Sequence, residues 1–196
     1  MESIDNYEAM LKVAGDFHGD ICAGIRIGTR MAMCGLQQIG ILDPKGADRK
    51  KLIVFVEIDR CTTDAIMAIT GCRPGKRSMK IYDYGKMAAT FHNLETGRTV
   101  RVGMKGRPAG ERKGEMPDFA RVKDKELFNI QSVTVHLRPE DLPGKPLRRV
   151  QCARCGDSVM DGREVEVGDE PLCKPCAIGQ NYYEASLAPD AADVQS

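Results

Sequence analysis

Two cysteine pairs near the end of the chain, "CARC" at 152–155 and "CKPC" at 173–176, constrain its folding more than any other feature. Together they read C-x2-C-x17-C-x2-C. Each pair puts two thiols on one tight turn, and two such turns complete the tetrahedral four-sulfur arrangement of a closed structural zinc site. Cys152, Cys155, Cys173 and Cys176 are therefore read as ligands of one structural Zn2+. Two disulfides, or redox-active C-x-x-C pairs, are the alternatives. The intervening "GDSVMDGREVEVGDEPL" has the turn residues and alternation of a short hairpin, and "CAIGQNYYEASLA" from Cys176 reads as a helix. Knuckle, hairpin, knuckle, helix is the order of a treble-clef or ribbon-like finger. A unit this small has almost no core, so the metal supplies its folding free energy. With four sulfurs no position is left for water, and no catalysis is expected there.

Charge divides the 196 residues in the same place. Residues 1–150 carry 26 Lys+Arg against 19 Asp+Glu, and residues 151–196 carry 3 against 9. A basic body beside an acidic tail favours docking of one on the other, within a chain or across a homodimer. It argues against the tail as a nucleic-acid reader, which needs a positive surface of its own. The opening "MESIDNYEAMLKVAGDF" has no basic region followed by an apolar one, and no apolar run approaches a membrane span. A reducing, cytoplasmic setting without a membrane partner is expected, in which eight cysteines are ligands, reactive thiols or core residues.

The expected organisation is a core domain at 1–137, a linker at 138–150 rich in proline and glycine, and a zinc finger at 151–196. Apolar spacing predicts a helix over 4–18, stopped by Gly19. Asp20 then caps a second helix over 21–38, which ends in "GILDPKG". A buried strand, "KLIVFVEI", leads to a short helix at 62–71 with Thr62 or Thr63 as cap and Gly71 as stop. "MKIYDYG", "MAATFHNL" and "RTVRVGM" read as strands, with "ETG" turning between the last two. Residues 105–118 read as a charged loop, "KDKELFNI" as a short helix and "SVTVHL" as a strand. The body is thus α+β, helices set against a mainly antiparallel sheet.

The second chemical question lies in "DFHGDICAG" at 16–24. His18 and Cys22 flank a corner made by Gly19 and Asp20, and a corner can converge an imidazole and a thiol. At a helix start Cys22 lies near unpaired N–H groups, which favour the thiolate. Gly24 and Gly28 let another element approach closely. "EIDRCTTDAI" delivers Cys61 to a strand–helix junction as well, with Asp59 and Asp64 nearby. For His18, Cys22 and Cys61 three readings stand: a metal site, a reactive thiol with its base, or packing. Cys72 shares their pocket or is simply packed. Cys34, beside Met31 and Met33, reads as core. Lys86 is a solvated turn residue, or a charge that acts on a thiol or an anion. His92 and His136 read as structural.

"FHGDICAGIRIGTRMAMCGLQQIGI" followed by "EIDRCTTDAIMAITGCRPGKRSMKIYDYGKMAATF" resembles the E-subunit family of formylmethanofuran dehydrogenase over about residues 10–135. The likeness rests on a combination. F-H-G-x-x-C-x-G runs from Phe17 to Gly24 and C-x-x-D-A from Cys61 to Ala65. G-C follows at Gly71–Cys72, and D-x-G-K at Asp83–Lys86. The resemblance implies that His18, Cys22 and Cys61 line the family's metal-binding or active site, with Cys72 and Lys86 as neighbours. Members often append a cysteine-rich finger, matched here by "GDEPLCKPCA". Two positions depart from the usual F-H-G-H-x-C-P-G opening: Asp20 stands for the second histidine and Ala23 for the proline. Asp20 is left as an oxygen ligand or a helix cap. The family's oxidoreductase chemistry belongs to pterin and iron–sulfur cofactors on other polypeptides, and the ferredoxin cysteine run is absent from this sequence.

The expected function is therefore a metal-binding accessory protein. Its core holds Zn2+ or another thiophilic divalent ion on His18, Cys22 and Cys61, and its finger holds structural zinc. One alternative is a thiol-dependent or metal-assisted enzyme using Cys22 or Cys61 with His18 as base and Lys86 as electrostatic aid. Another is a non-catalytic regulatory or nucleic-acid-binding finger protein. A homodimer is expected, its finger docked on its own or its partner's core.

Overall fold

The computed structural model describes residues 6–106 and 116–184. It divides into two compact units, one of Met1–Arg138 with Leu142–Gly144, the other of Pro139–Asp141 with Lys145–Ser196. The first unit has the α+β architecture read from the sequence: helices on a largely antiparallel sheet.

Helix α1 spans Tyr7–His18. The Asn6 side chain caps it by accepting from the Ala9 N–H, and Gly19 ends it at φ 95°, a left-handed conformation that glycine adopts without a Cβ clash. Helix α2, Ala23–Ile39, starts two residues later than the sequence suggests, and its N-cap is Cys22. Asp20 does not cap it; its carboxylate accepts from the Ile21 N–H inside the corner. A reversal this tight takes up residues 19–22 before the next helix can begin. Strand β1, Leu52–Val56, feeds helix α3, Cys61–Thr70, whose N-cap is Arg60. Neither threonine caps α3. Thr63 donates back to the Ile58 carbonyl and Thr62 to the Gly24 carbonyl. Strands β2, Met79–Ile81, β3, Ala88–Asn93, and β4, Thr99–Met104, follow. A single turn of helix, α4, Asp124–Leu127, leads into β5, Phe128–Ser132.

The sheet order is β2-β1-β3-β4-β5. β1 and β2 are parallel, and the other pairs are antiparallel. The helices cover one face. Leu52, Val54, Val56, Ala89, Phe91, Val100, Val102 and Phe128 point into a core shared with Ile25, Met31, Leu36, Ile66 and Ile69. A Cβ on Gly35 of α2 would stand 2.2 Å from the Phe91 ring, so α2 lies directly on β3. Cys34 is buried in this core, where burial first and the Asp124 carboxylate second push its thiol up to about 12.

The expected strand "SVTVHL" is displaced. β5 pairs Phe128 with Met104 and Ser132 with Val100, and the last ladder bond runs from the Val133 N–H to the Thr99 carbonyl. β4 begins at Thr99, so residues 134–137 have no strand beside them, and His136 is exposed outside the sheet. His92 does pair across the sheet, its Nδ1 2.6 Å from Thr99 Oγ1. The loop read over 105–118 lies partly outside the described residues.

The second unit carries two hairpins where the sequence suggested one. β6, Arg149–Gln151, pairs with β7, Ser158–Met160, around the first cysteine pair. β8, Val165–Val167, pairs with β9, Glu170–Leu172, before the second. β6 begins inside the stretch read as linker, which also holds a 3-10 turn at Pro139–Asp141. Helix α5, Lys174–Ile178, starts before Cys176 and stops early, because Gly179 takes φ 68°. None of the helices among the described residues is long and apolar enough to cross a membrane.

Candidate metal centres

The core cluster is assembled from three element ends. His18 is the last residue of α1, Cys22 the N-cap of α2 and Cys61 the first residue of α3. Each offers one ligand atom, and the three atoms lie within 4.8 Å of one another. All three residues are half-buried.

Local structure explains the convergence. The left-handed Gly19 turns the chain sharply after His18 and brings Cys22 back beside it. α2 and α3 then meet at small residues. A Cβ on Gly24 would lie 3.0 Å from Cys61 Cβ, and one on Gly28 would lie 2.7 Å from the Thr62 carbonyl oxygen and 2.8 Å from Ala65 Cβ. Only glycine permits this approach, and the approach presses the start of α3 against the start of α2. The hydrogen bond from Thr62 Oγ1 to the Gly24 carbonyl closes the same contact.

The neighbouring Cys22 thiol, with burial next, pushes the Cys61 thiol up. His18 is held separately, its Nδ1 2.8 Å from Asp64 Oδ2. Asp64 lies one turn along α3 from Cys61. The sequence places Asp64 nearby without identifying His18 as its partner, 46 residues away in the chain. The C-x-x-D spacing is the signal that could have found it, since it sets a carboxylate on the face of the helix that carries the thiol.

Other candidates lie apart. Asp20 is exposed, and its carboxylate is occupied with the Ile21 N–H. Cys72 follows the far end of α3, beyond Gly71, and its thiol donates to the Leu52 carbonyl at the start of β1. A ten-residue helix spans about 15 Å, which removes Cys72 from the cluster. Lys86 is exposed, its ammonium 5.9 Å from the Tyr84 ring centroid.

In the second unit Cys152, Cys155, Cys173 and Cys176 form a second cluster, again with ligand atoms within 4.8 Å of one another. Backbone N–H groups of Cys155 and Cys173 point at the Cys152 sulfur and hold its thiol down at about 6. Cys155 Sγ and Cys173 Sγ are 3.8 Å apart. Tetrahedral zinc with metal–sulfur bonds of ~2.3 Å sets its sulfurs ~3.8 Å from one another, so the donor set and its spacing fit that ion. Arg154 donates to the Cys176 carbonyl and ties the two knuckles together.

Comparison with known proteins matches the two units to two families. The model of the family described as "FmdE, Molybdenum formylmethanofuran dehydrogenase operon" matches residues 17–134. That of the prokaryotic dksA/traR C4-type zinc finger matches residues 145–182. A curated protein of Archaeoglobus fulgidus, named a probable S-adenosyl-L-methionine-binding protein, is 32% identical over 94 residues, 47% of this chain and 26% of that protein. The chain thus spans about a quarter of that relative's length. The solved structure of a tungsten formylmethanofuran dehydrogenase FmdE-like protein from Syntrophus aciditrophicus superposes with a TM-score of 0.56 at 22% identity, covering 90% of this chain and 95% of that one. At that identity the likeness is one of fold.

Proposed function

Because this chain belongs to the FmdE family, we propose that it is a metal-binding accessory protein, with a divalent ion on His18, Cys22 and Cys61 in the core and a structural zinc on the four finger cysteines. The observation that carries this reading is the convergence of one imidazole and two thiols from three separate elements, with ligand atoms within 4.8 Å of one another. Sulfur with imidazole nitrogen is a donor set for zinc or another thiophilic ion, and a poor one for magnesium or calcium. The finger is a closed four-sulfur site, whereas the core offers three protein ligands. A three-ligand site leaves one coordination position for water or a substrate atom, where a bound ion would act as a Lewis acid.

That open position supports a second reading, a metal-assisted or thiol-dependent enzyme built on the same three residues. The thiol-dependent form of that reading parts from the accessory site on the thiols. In an accessory metal site the sulfurs stay ligated, and alkylating reagents reach them only after metal removal. A thiol enzyme exposes a nucleophile that is alkylated in the metal-loaded protein.

Elemental analysis of freshly purified, untagged protein tests the first reading. Wild type is expected to carry more than one metal per chain, and His18→Ala and Cys22→Ala to fall towards one. If wild type and Cys22→Ala both hold a single metal, and it resides in the finger, the core site is not a metal site.

A further inference from the structure

We propose that Asp64 is the positioning residue of the core site, selecting which nitrogen of His18 faces the two thiols. This rests on the metal-binding reading of His18, Cys22 and Cys61.

The geometry is specific. Asp64 Oδ2 stands 2.8 Å from His18 Nδ1, and the side chains are 37% and 23% exposed, so the pair is partly shielded from solvent. A carboxylate only accepts, so it stabilises the tautomer with the proton on Nδ1. The lone pair is then on Nε2, the one ring nitrogen left for the cluster. An imidazole can ligate a metal only through an unprotonated nitrogen, and the bond made by the other nitrogen fixes which one that is.

His18 needs such an anchor. It is the last residue of α1, and the chain reverses at Gly19 immediately after it. Cys22 and Cys61, by contrast, are set by the close α2–α3 contact at Gly24 and Gly28. Asp64 belongs to α3, one turn from Cys61, so it ties the third ligand to the helix that carries the second. One rigid element therefore orients two of the three ligands.

The test uses the full chain and Cd2+ as probe. Ring 15N shifts of His18 in metal-free protein report the tautomer, and titration reports core and finger affinities separately. In wild type the proton is expected on Nδ1. Asp64→Ala frees the ring, so Nε2–H becomes populated and the core dissociation constant rises about 10- to 100-fold, with the finger unchanged. Asp64→Asn preserves shape and covers the case in which the alanine variant fails to fold. Its amide can accept from or donate to Nδ1, so both tautomers appear and core affinity falls by a smaller factor. A tautomer and a core affinity that stay within twofold of wild type in the asparagine variant, or in a folded alanine variant, would overturn the proposal. If wild type takes up Cd2+ in the finger alone, the metal-binding reading is what fails. The ring shifts of the metal-free chain then still decide whether Asp64 sets the tautomer.

Discussion

Gly28 marks the narrowest point between the helices that carry the two core thiols. A methyl group there would meet a backbone carbonyl at 2.7 Å and Ala65 Cβ at 2.8 Å, neither of which is the end of a flexible side chain. The helices would have to separate. Gly28→Ala is therefore expected to destabilise the core unit by about 1–3 kcal/mol. It should also weaken core metal binding while leaving the finger intact. Urea unfolding followed by circular dichroism, with metal titration of the folded fraction, checks both. Retained stability with retained core affinity would mean that α2 and α3 are less tightly coupled than these distances require. The members of the core cluster were legible from residue type and position, because His18, Cys22 and Cys61 all stand at element ends. What the sequence hid was their connection. The Asp64–His18 bond spans 46 residues, and periodicity reports only neighbours three or four apart.

At the scale of elements the stops were easier to read than the starts. Gly19, Gly40 and Gly71 all end helices with positive φ, a conformation in which glycine has little competition. The starts misled, because Asp20, Thr62 and Thr63 have the chemistry of caps but spend it elsewhere, Asp20 and Thr63 on local corner bonds and Thr62 on the Gly24 carbonyl of α2. β5 misled for a related reason. "SVTVHL" alternates well, yet β4 begins only at Thr99 and offers no partner beyond Val133, and the strand settles on Phe128, which is buried, and Ile130. The pairing of β3 with β4 also carries a pH dependence. Burial lowers the pKa of His92 below its ordinary 6.5, so the folded protein resists protonation that the unfolded chain accepts. Its contribution to stability is complete above about pH 6.5 and is lost as pH falls through the lower folded value. His92→Gln, which cannot protonate, should flatten the fall in stability below about pH 6.5 relative to wild type. Parallel urea curves for both proteins across that range would assign the fall to other groups.

The two units differ in what holds each together. Among the described residues, twenty-eight buried side chains form one continuous cluster in the core unit, from Tyr7 to Phe128. In the finger unit the buried apolar residues among those described are Cys152 and Leu172. One buried leucine is too little apolar burial to offset the conformational entropy of ordering such a unit. Apolar burial therefore sustains the core, while the finger is expected to draw its stability from ligation of the four cysteines. Chelation is expected to separate the two. Excess EDTA or a thiol-selective chelator should unfold residues 145–184, with loss of amide protection in β6 to β9. Protection in β1, β3, β4 and α2 should persist, because removing an ion from His18, Cys22 and Cys61 leaves the apolar cluster intact. Hydrogen exchange read by mass spectrometry before and after chelation distinguishes the units peptide by peptide. If β8 and β9 stay protected in fully metal-free protein, the finger is not held by its metal. Simultaneous collapse of β3 and α2 would mean instead that the core depends on the ion, and would make His18, Cys22 and Cys61 a structural site on a par with the finger.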